Sequence, residues 1–519
     1  MSPKTATIVV GSPAAISKSS VEQKRANGRP PVAESRELPA RGQSGTALSH
    51  SRLAIGLGLH RQYNISMSIA RPHAGGLTCR RMAARSALLL AVSAMCLPAA
   101  SAAEVRPFQV EHYDATLHLD AASGRLTGVA RLRIRSMADA LRIVELDADE
   151  MSVTEVRAGA HRLRFVQHLD SAAGGTLTIT LPRPLAQGRR CRLALRYTGT
   201  PTRGLRFYPD QVWTAFSTSH WLPSDSRPDH RATVQLRLDL PSGWQVVAAG
   251  RCVGQRVRGG RLLSAWEQRV PLPSFVFGFA AGRFQVVDDD DGGVRLQSFS
   301  ARHTADQLRR LNSLSRPMLM FFAGRAGVPY TGASYTQVFA HDTPMQEVGG
   351  FTLLPEEHAD DLLSHPDDLW LPAHELAHQW WGIGVTCRTW SDFWLNEGIA
   401  TFLADVYLGE RFGDTRYRRE MERSRQVWEQ LKQEGRDRPL HFTGWTTPQQ
   451  AGGRLPYHKG AWVLHLLREE MGADAFWRGF EAYTREHWQG SATSEDLRQA
   501  MEHASGRSLA AFFETWVYQ

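Results

Sequence analysis

The chain contains the sequence His374-Glu375-Leu376-Ala377-His378, in which two histidines stand four residues apart. Residues at this spacing share one face of an α-helix, so both imidazoles can bind one metal ion while Glu375 faces its open coordination position. Eighteen residues separate His378 from Glu397, which is placed to supply a third ligand from a second helix. The pattern predicts one zinc ion, bound by His374, His378 and Glu397.

Such a site predicts hydrolytic chemistry. Three protein ligands leave a fourth position for water, and zinc lowers the pKa of that water from about 15.7 to about 7. Glu375 would then act as general base, taking a proton from the attacking water and passing it to the leaving amine. Amide hydrolysis also needs a donor for the oxyanion beside the metal, and a tyrosine hydroxyl on another segment would serve.

Three residues around the motif predict local structure. Pro372 requires the helix that carries the histidines to begin close to it. Asp392 is a suitable N-cap for the helix that contains Glu397. Gly398 costs about 1 kcal/mol relative to alanine in a helix, so we expect a close approach of the two metal-binding helices at this point, with a frayed helix start as the alternative.

The chain of 519 residues carries a formal charge of +9, from 61 Lys and Arg against 52 Asp and Glu. Residues 1–103 contain 13 of those bases and 3 of those acids, which leaves 48 bases and 49 acids in the remainder. The excess positive charge therefore lies near the N-terminus. Because no basic stripe remains beyond residue 103, a nucleic-acid partner is not expected.

Residues 82–102 have the features of a secretory signal. Arginines, an apolar run and a small-residue cleavage site follow one another: Arg80, Arg81, Arg85, Ala87–Leu97 and Ala100-Ser101-Ala102. We expect an exported protein, periplasmic or secreted, with no integral membrane segment after removal of the signal. Residues 1–81 form an unstructured leader or reflect the choice of start site, since Met82 stands where a signal peptide would begin; an organelle transit segment is the alternative.

The remaining chain divides into two predicted domains. Residues 103–300 alternate apolar and polar positions, as in Ala130, Leu132 and Ile134, and predict a β-sandwich-like domain. Residues 301–519 show helical periodicity and form the second domain; Thr493 with Asp496 and Gly506 predict the caps of a late helix. The predicted fold class is α+β. Cys191 and Cys252 could form a disulfide, with unpaired thiols as the alternative.

Three motifs resemble the M1 family of gluzincin zinc aminopeptidases, the alanyl and leucyl aminopeptidase group. They are His374-Glu375-Leu376-Ala377-His378-Gln379-Trp380-Trp381-Gly382, Trp394-Leu395-Asn396-Glu397-Gly398 and Pro456-Tyr457-His458-Lys459-Gly460. The resemblance implies a saddle-shaped N-terminal domain and a thermolysin-like catalytic domain, in a two-domain form that lacks the helical C-terminal domain. It also implies that Tyr457 is the oxyanion donor and that peptides are the substrates.

Family members bind the free amine of the substrate through the glutamate of a Gly-x-Met-Glu-Asn segment. The corresponding stretch here runs from Thr343 to Phe351, and matching Met345 to the family methionine puts Gln346 at the glutamate position. Only a shift of one residue gives that role to Glu347. We therefore include Gln346 and Glu347, with Gly349 and Gly350, in the predicted substrate site. His220 is a possible replacement for a further amine-binding residue of the family.

The sequence thus predicts a zinc-dependent aminopeptidase that removes N-terminal residues from peptides by attack of metal-activated water. One alternative is an endopeptidase or another hydrolase with the same zinc core but no requirement for a free amine. A second is a non-catalytic peptide-binding protein with a structural zinc. Neither the preferred N-terminal residue nor the oligomeric state follows from the sequence.

Overall fold

The structure is a computed structural model that describes residues 106–170, 174–290 and 293–519. The predicted leader, residues 1–81, and the predicted signal segment, residues 82–102, lie outside the described residues. In the part that is described, none of the helices is long and apolar enough to cross a membrane.

The first part of the described chain is built almost entirely of strands. In chain order they are β1 (Phe108–Asp120), β2 (Arg125–Ser136), β3 (Leu141–Asp147), β4 (Met151–Ala158), β5 (His161–Arg162), β6 (Arg164–Asp170), β7 (Gly174–Leu185), β8 (Arg190–Gly199), β9 (Leu205–Phe207), β10 (Gln211–Thr214), β11 (Arg231–Pro241), β12 (Gln245–Ala248), β13 (Arg251–Arg258), β14 (Arg261–Pro273), β15 (Phe279–Gly282), β16 (Gln285–Asp289) and β17 (Arg295–Ser300).

The largest sheet has eight strands in the order β13-β14-β11-β1-β2-β8-β4-β5. Its pairs are antiparallel except β1 with β11. Alternation within β2 follows the period-two prediction, since Ala130, Leu132 and Ile134 are buried while Arg131 and Arg133 are exposed. Two smaller sheets, β3-β7-β6 and β12-β15-β10-β9, contribute to the same hydrophobic core.

Helices dominate the second part. The elements are α1 (Ala305–Asn312), α2 (Ser315–Ala326), β18 (Ser334–Ala340), β19 (Gln346–Val348), β20 (Phe351–Pro355), α3 (Glu356–Ser364), α4 (Trp370–Ala377), β21 (Val385–Cys387), α5 (Trp394–Phe412), α6 (Asp414–Gln433), α7 (Pro448–Ala451), α8 (Arg454–Met471), α9 (Ala473–Glu486), β22 (Gly490–Ala492), α10 (Ser494–Ser505) and α11 (Ala510–Phe513).

A five-stranded sheet, in the order β16-β17-β18-β20-β19, lies between the strand-rich and helical parts of the chain. β17, β18 and β20 run parallel, and β16 and β19 pair antiparallel at the two edges. The domain boundary predicted at residue 300 therefore falls between two paired strands, β17 and β18. The predicted α+β class, with a sheet-rich domain before a mostly helical one, is confirmed.

The predicted caps of the late helix are present, but the possible disulfide is not. The Thr493 hydroxyl and the Asp496 side chain form a capping box at the start of α10, and Gly506 ends that helix with φ 68°. Cys191, Cys252 and Cys387 are free, so the structure holds no disulfide between the first two.

Asp392 does not cap α5. It ends a 3₁₀ turn, Trp390–Asp392, and the next residue, Phe393, already has helical φ and ψ. The chain therefore enters α5 without the extended residue that a side-chain cap requires. The Asp392 carboxylate instead accepts hydrogen bonds from the backbone N–H and the hydroxyl of Ser494.

Candidate metal centre

The two motif histidines lie on and just after α4. That helix begins at Trp370, so Pro372 falls in its first turn, as predicted. His374 and Glu375 lie within the helix, and His378 follows it with helical φ and ψ while its N–H donates to the carbonyl of His374. All three side chains are buried. The helix thus directs both imidazoles and the carboxylate into the protein interior.

Glu397 lies in the first turn of α5 and meets the histidines there. The Nε2 atoms of His374 and His378 are 3.1 Å apart, and Glu397 Oε2 lies 3.4 Å and 3.3 Å from them. Ligand atoms about 2.0–2.1 Å from a tetrahedral zinc are about 3.3 Å apart. The three sequence-predicted ligands therefore have the spacing that zinc requires.

Hydrogen bonding fixes which imidazole nitrogens face this point. His378 Nδ1 lies 2.9 Å from the carbonyl oxygen of Trp381, which can only accept, so Nδ1 carries the proton. The Nδ1 of His374 lies 3.4 Å from the hydroxyl of Thr401. Contacts of this kind orient metal-binding histidines and leave Nε2 as the ligand atom.

The electrostatics of the site favour a bound cation. Glu397 Oε2 is buried without a hydrogen-bond partner in the described structure. Burial alone would raise the pKa of Glu397, but His378 and His374 outweigh it and lower that pKa to about 2. Burial lowers the pKa of His374 to about 4, whereas in His378 the carboxylates of Glu347 and Glu397 overcome burial and raise it to about 10. A divalent cation between these ligands fits both observations.

The His374 ring is held between two aromatic side chains. Trp370 stacks on it with ring centroids 5.0 Å apart, and Tyr457 stacks with centroids 5.5 Å apart. Trp370 is itself fixed, because its indole N–H donates to Asp405 at 2.8 Å. The stacking places Tyr457, from α8, beside the metal ligands, where the sequence motif alone could not locate it.

The close approach predicted at Gly398 occurs, but with a different helix. A Cβ atom at Gly398 would lie 2.9 Å from the Cα of Gly460 and 3.0 Å from the carbonyl oxygen of Pro456, both on α8. The predicted partner was α4. Because two glycines face each other, α5 and α8 approach closely enough to bring Tyr457 next to Glu397.

Glu347 extends into the same site from β19. Its carboxylate, Glu375 and the imidazole of His378 offer ligand atoms that all lie within 4.8 Å of one another. Burial raises the pKa of Glu347 to about 7, with His378 opposing the shift and Glu397 adding to it. Burial likewise raises the pKa of Glu375 well above its usual value, and Glu347 adds to that shift.

Gln346 faces the other way. Successive residues of a strand point to opposite faces, and Gln346 accepts a hydrogen bond from the N–H of Phe216 and donates to the carbonyl of Phe275 at 3.5 Å. Both partners belong to the strand-rich part of the chain. Gln346, predicted as part of the substrate site, therefore points away from the metal ligands, and Glu347 is the carboxylate that reaches them.

Gly349 and Gly350, also predicted as part of the substrate site, shape the chain directly after Glu347. They form the two-residue turn between β19 and β20, with φ 91° at Gly350, a value that favours glycine. The N–H of Gly349 donates to Val276 and that of Gly350 donates to the side chain of Gln379. Their carbonyls accept from Gly250 and Thr336, so each backbone group of the two glycines already has a partner, and their contact with a substrate stays a prediction.

His220 is not part of this centre. Its Nδ1 lies 3.0 Å from a carboxylate oxygen of Glu150, which also accepts hydrogen bonds from Thr202 and from the N–H of Arg203. His220 therefore helps to close a loop of the strand-rich part, which leaves no support for a role in binding the substrate amine.

Gln379 is a site residue that the sequence analysis did not single out. Its side chain accepts from the N–H of Gly350 at 3.1 Å and donates to the carbonyl of Val348 at 3.0 Å. It thereby ties the turn after Glu347 to the segment that carries His378. The only sequence signal for this role is its position directly after the second histidine of the motif.

Known proteins share features of both the fold and the metal centre. A buried His-His-Glu site beside a further glutamate, in a helical domain next to a mixed sheet, is typical of zinc metallopeptidases. Residues 314–516 match the peptidase family M1 domain. The resemblance recognised from the motifs is confirmed over this part of the chain.

Solved structures of M1 zinc metallopeptidases have the same fold. One from Deinococcus radiodurans is 25% identical, with a TM-score of 0.66, and the match covers 79% of this chain and 94% of that one. A mutant of it bound to a Tyr-Ser-Ala substrate is 24% identical over the same shares, with a TM-score of 0.67.

The curated relatives are longer than this chain. Aminopeptidase M1 of Arabidopsis thaliana is 24% identical over 57% of this chain and 35% of its own length. Probable M1 family aminopeptidase 2 of Encephalitozoon cuniculi is 23% identical over 79% of this chain and 51% of its own. Leukotriene A-4 hydrolase of Xenopus laevis is 23% identical over 77% and 69%. The chain thus spans about a third to a half of the first two relatives.

Proposed function

We propose that this protein is a zinc-dependent aminopeptidase that hydrolyses the N-terminal residue from peptides. The observation that carries the proposal is the buried Glu347 carboxylate, held within 4.8 Å of Glu375 and of His378. A buried carboxylate beside a hydrolytic centre is the group that would bind a substrate ammonium. An N-terminus bound there would bring the first peptide bond of the substrate close to Glu375.

His374, His378 and Glu397 would hold the zinc ion. When bound, zinc acts as a Lewis acid on water and on the peptide carbonyl. Glu375, whose second carboxylate oxygen is buried without a partner, takes the proton of the attacking water. Burial raises the pKa of this carboxyl above its usual range, which favours its holding the transferred proton until the amine leaves.

Tyr457 would donate a hydrogen bond to the oxyanion. Burial raises its pKa well above the usual value, and the carboxylates of Glu397, Glu347 and Glu375 raise it further. The hydroxyl therefore keeps its proton at neutral pH and can donate to a developing negative charge. The stack on His374 fixes the ring, so little reorientation is needed during the reaction.

The proposal is tested with aminoacyl reporter amides and their N-acetylated counterparts. Glu347→Gln removes the charge and should lower kcat/KM on the free amines by roughly a hundredfold, mainly through KM. Glu356→Gln is the matched control, since it changes another buried glutamate outside the site. Equal cleavage of acetylated and free substrates by the unaltered protein would instead identify an endopeptidase or a hydrolase of another kind.

We also propose that the protein is exported. The support is the arginine, apolar and small-residue order of residues 80–102, which lie outside the described residues. Mass measurement of the mature chain would show cleavage after Ala102, and an N-terminus that retains residues 82–102 would contradict the proposal.

A further inference from the structure

One face of the eight-stranded sheet carries a dense set of arginines. We call it the arginine face; its members are Arg131, Arg133, Arg135, Arg157, Arg162, Arg190, Arg192 and Arg196. They belong to β2, β4, β5 and β8, and the alternation of those strands turns them away from the buried core. The described chain is close to neutral by count, so this concentration arises from the fold and not from composition.

Pairing across the strands places like charges opposite each other. Arg133 of β2 is in register with Arg192 of β8, and Arg135 is in register with Arg190. Side chains at such positions are about 5 Å apart at Cβ, and like charges directly opposite destabilise a sheet. Two successive arginine pairs of this kind lower the stability of the sheet, so a contribution to folding does not explain their presence.

Among the described residues, two glutamates make all the ion pairs of these eight arginines. Glu111 lies within 3.5 Å of Arg133, Arg135 and Arg190, so one carboxylate serves three guanidinium groups. Glu155 is likewise shared by three arginines: Arg157, Arg162 and Arg196.

Two arginines of the face have no acidic partner. Within the described ranges, neither Arg131 nor Arg192 forms an ion pair, and both side chains are exposed. Asp114 of β1 is in register with Arg131 but forms its ion pair with Arg237 of β11. The eight arginines against Glu111 and Glu155 therefore leave a formal excess of six positive charges.

The shape and composition of the face indicate the kind of partner. Arg131, Arg133 and Arg135 span roughly 14 Å along one strand, next to the β8 arginines about 5 Å away. The outward positions of β2, β4 and β8 hold no aromatic residue, so the platforms on which single-stranded nucleic acids stack are absent from this described face. What remains is a broad surface of guanidinium groups, which match phosphate in charge and geometry.

We propose that the arginine face binds the protein peripherally to a membrane surface of anionic phospholipids. The phosphate headgroups form a two-dimensional array of negative charges, which complements the positive charges of the arginine face. Each arginine near such a surface contributes to the attraction, and the effect ends within a Debye length. This inference concerns a surface of the first domain and does not depend on the proposed peptidase activity.

The test is co-sedimentation of the full chain with vesicles of phosphatidylcholine, alone or mixed with phosphatidylglycerol. Because residues 1–103 carry their own positive charge, every comparison is made between variants of the same chain. Arg131→Glu/Arg192→Glu changes the two unpaired arginines of the face. Arg142→Glu/Arg183→Glu is the matched control, since it makes the same change at two exposed arginines of the adjacent strands β3 and β7, which belong to a different sheet.

We expect the protein to bind the mixed vesicles, with an affinity that falls as the salt concentration is raised. The first variant should weaken this binding roughly tenfold or more, and the control should not. Unchanged melting temperatures would show that both variants are folded. Equal loss in the two variants, or no loss in either, would overturn the proposal. So would binding of the face to duplex DNA with no preference for the anionic vesicles.

Discussion

Gln379 donates a hydrogen bond to the carbonyl of Val348 at 3.0 Å, and so links the segment that holds His378 to the strand that holds Glu347. The same side chain accepts from the N–H of Gly350. This buried amide therefore helps to fix the distance between the proposed amine-binding carboxylate and the metal ligands.

Replacing Gln379 with methionine keeps the volume of the side chain and removes both hydrogen bonds. We expect KM for aminoacyl amides to rise roughly tenfold while kcat changes little, because Glu347 loses its fixed position but the base does not. Zinc content, measured by atomic absorption, should stay at one ion per chain.

Gln337→Met is the control for this change, since Gln337 is a buried glutamine of β18 in the sheet that contains β19. It should leave KM unaltered. A parallel fall of kcat and zinc content in Gln379→Met would show that the residue supports the metal site as a whole.

Glu375→Gln should abolish nearly all turnover without loss of metal. The amide keeps the shape of the side chain but cannot accept the proton of the attacking water, so kcat should fall roughly a thousandfold. Turnover is followed with an aminoacyl amide and zinc by chelator titration. Cleavage at the original rate would remove Glu375 from the mechanism.

Tyr457→Phe removes the hydroxyl but keeps the ring that stacks on His374. Loss of one oxyanion donor should lower kcat roughly a hundredfold, with KM and zinc content little changed. Stopped assays over a range of substrate concentrations separate the two constants. If KM rises and kcat is unaffected, Tyr457 contacts the bound substrate and does not stabilise the oxyanion.

Removal of zinc should lower the melting temperature as well as the activity. The ligands converge on a buried point where Glu397 Oε2 has no other partner, so metal binding stabilises the folded state by mass action. Dialysis against chelator, followed by calorimetry, should show a lower transition that zinc restores. Magnesium should not restore it, because that ion prefers oxygen ligands. A transition indifferent to both treatments would contradict the metal assignment.

Gly398→Ala should destabilise the protein by roughly 1–3 kcal/mol, because the new methyl group would lie 2.9 Å from the Cα of Gly460. The expected displacement of α8 also moves Tyr457, so kcat should fall. The matched control is Gly324→Ala, an exposed glycine of α2 whose added Cβ meets nothing within 4 Å. That change should stabilise by about 0.5–1 kcal/mol, as measured by urea unfolding.

The metal-binding residues could be predicted because their geometry is local. Four residues on a helix set the separation of His374 and His378, whatever surrounds them. The strands could also be predicted, since the burial of Leu132 and the exposure of Arg133 follow from alternation alone.

The choice between Gln346 and Glu347 could not be made in this way. It depends on which face of β19 meets α4, and a shift of one residue exchanges the two side chains. The arginine face could not be predicted for a different reason. Its members come from strands far apart in sequence, and the total charge of the chain does not show that they lie together.

The pairing of β17 with β18 has a consequence for how the molecule can be divided. A fragment that begins at residue 301 would lack β16 and β17, leaving the N–H and C=O groups along one side of β18 without partners. Such a fragment should be insoluble or prone to aggregate, however complete its catalytic residues. The smallest autonomous peptidase unit in this chain must therefore start at or before Gln285.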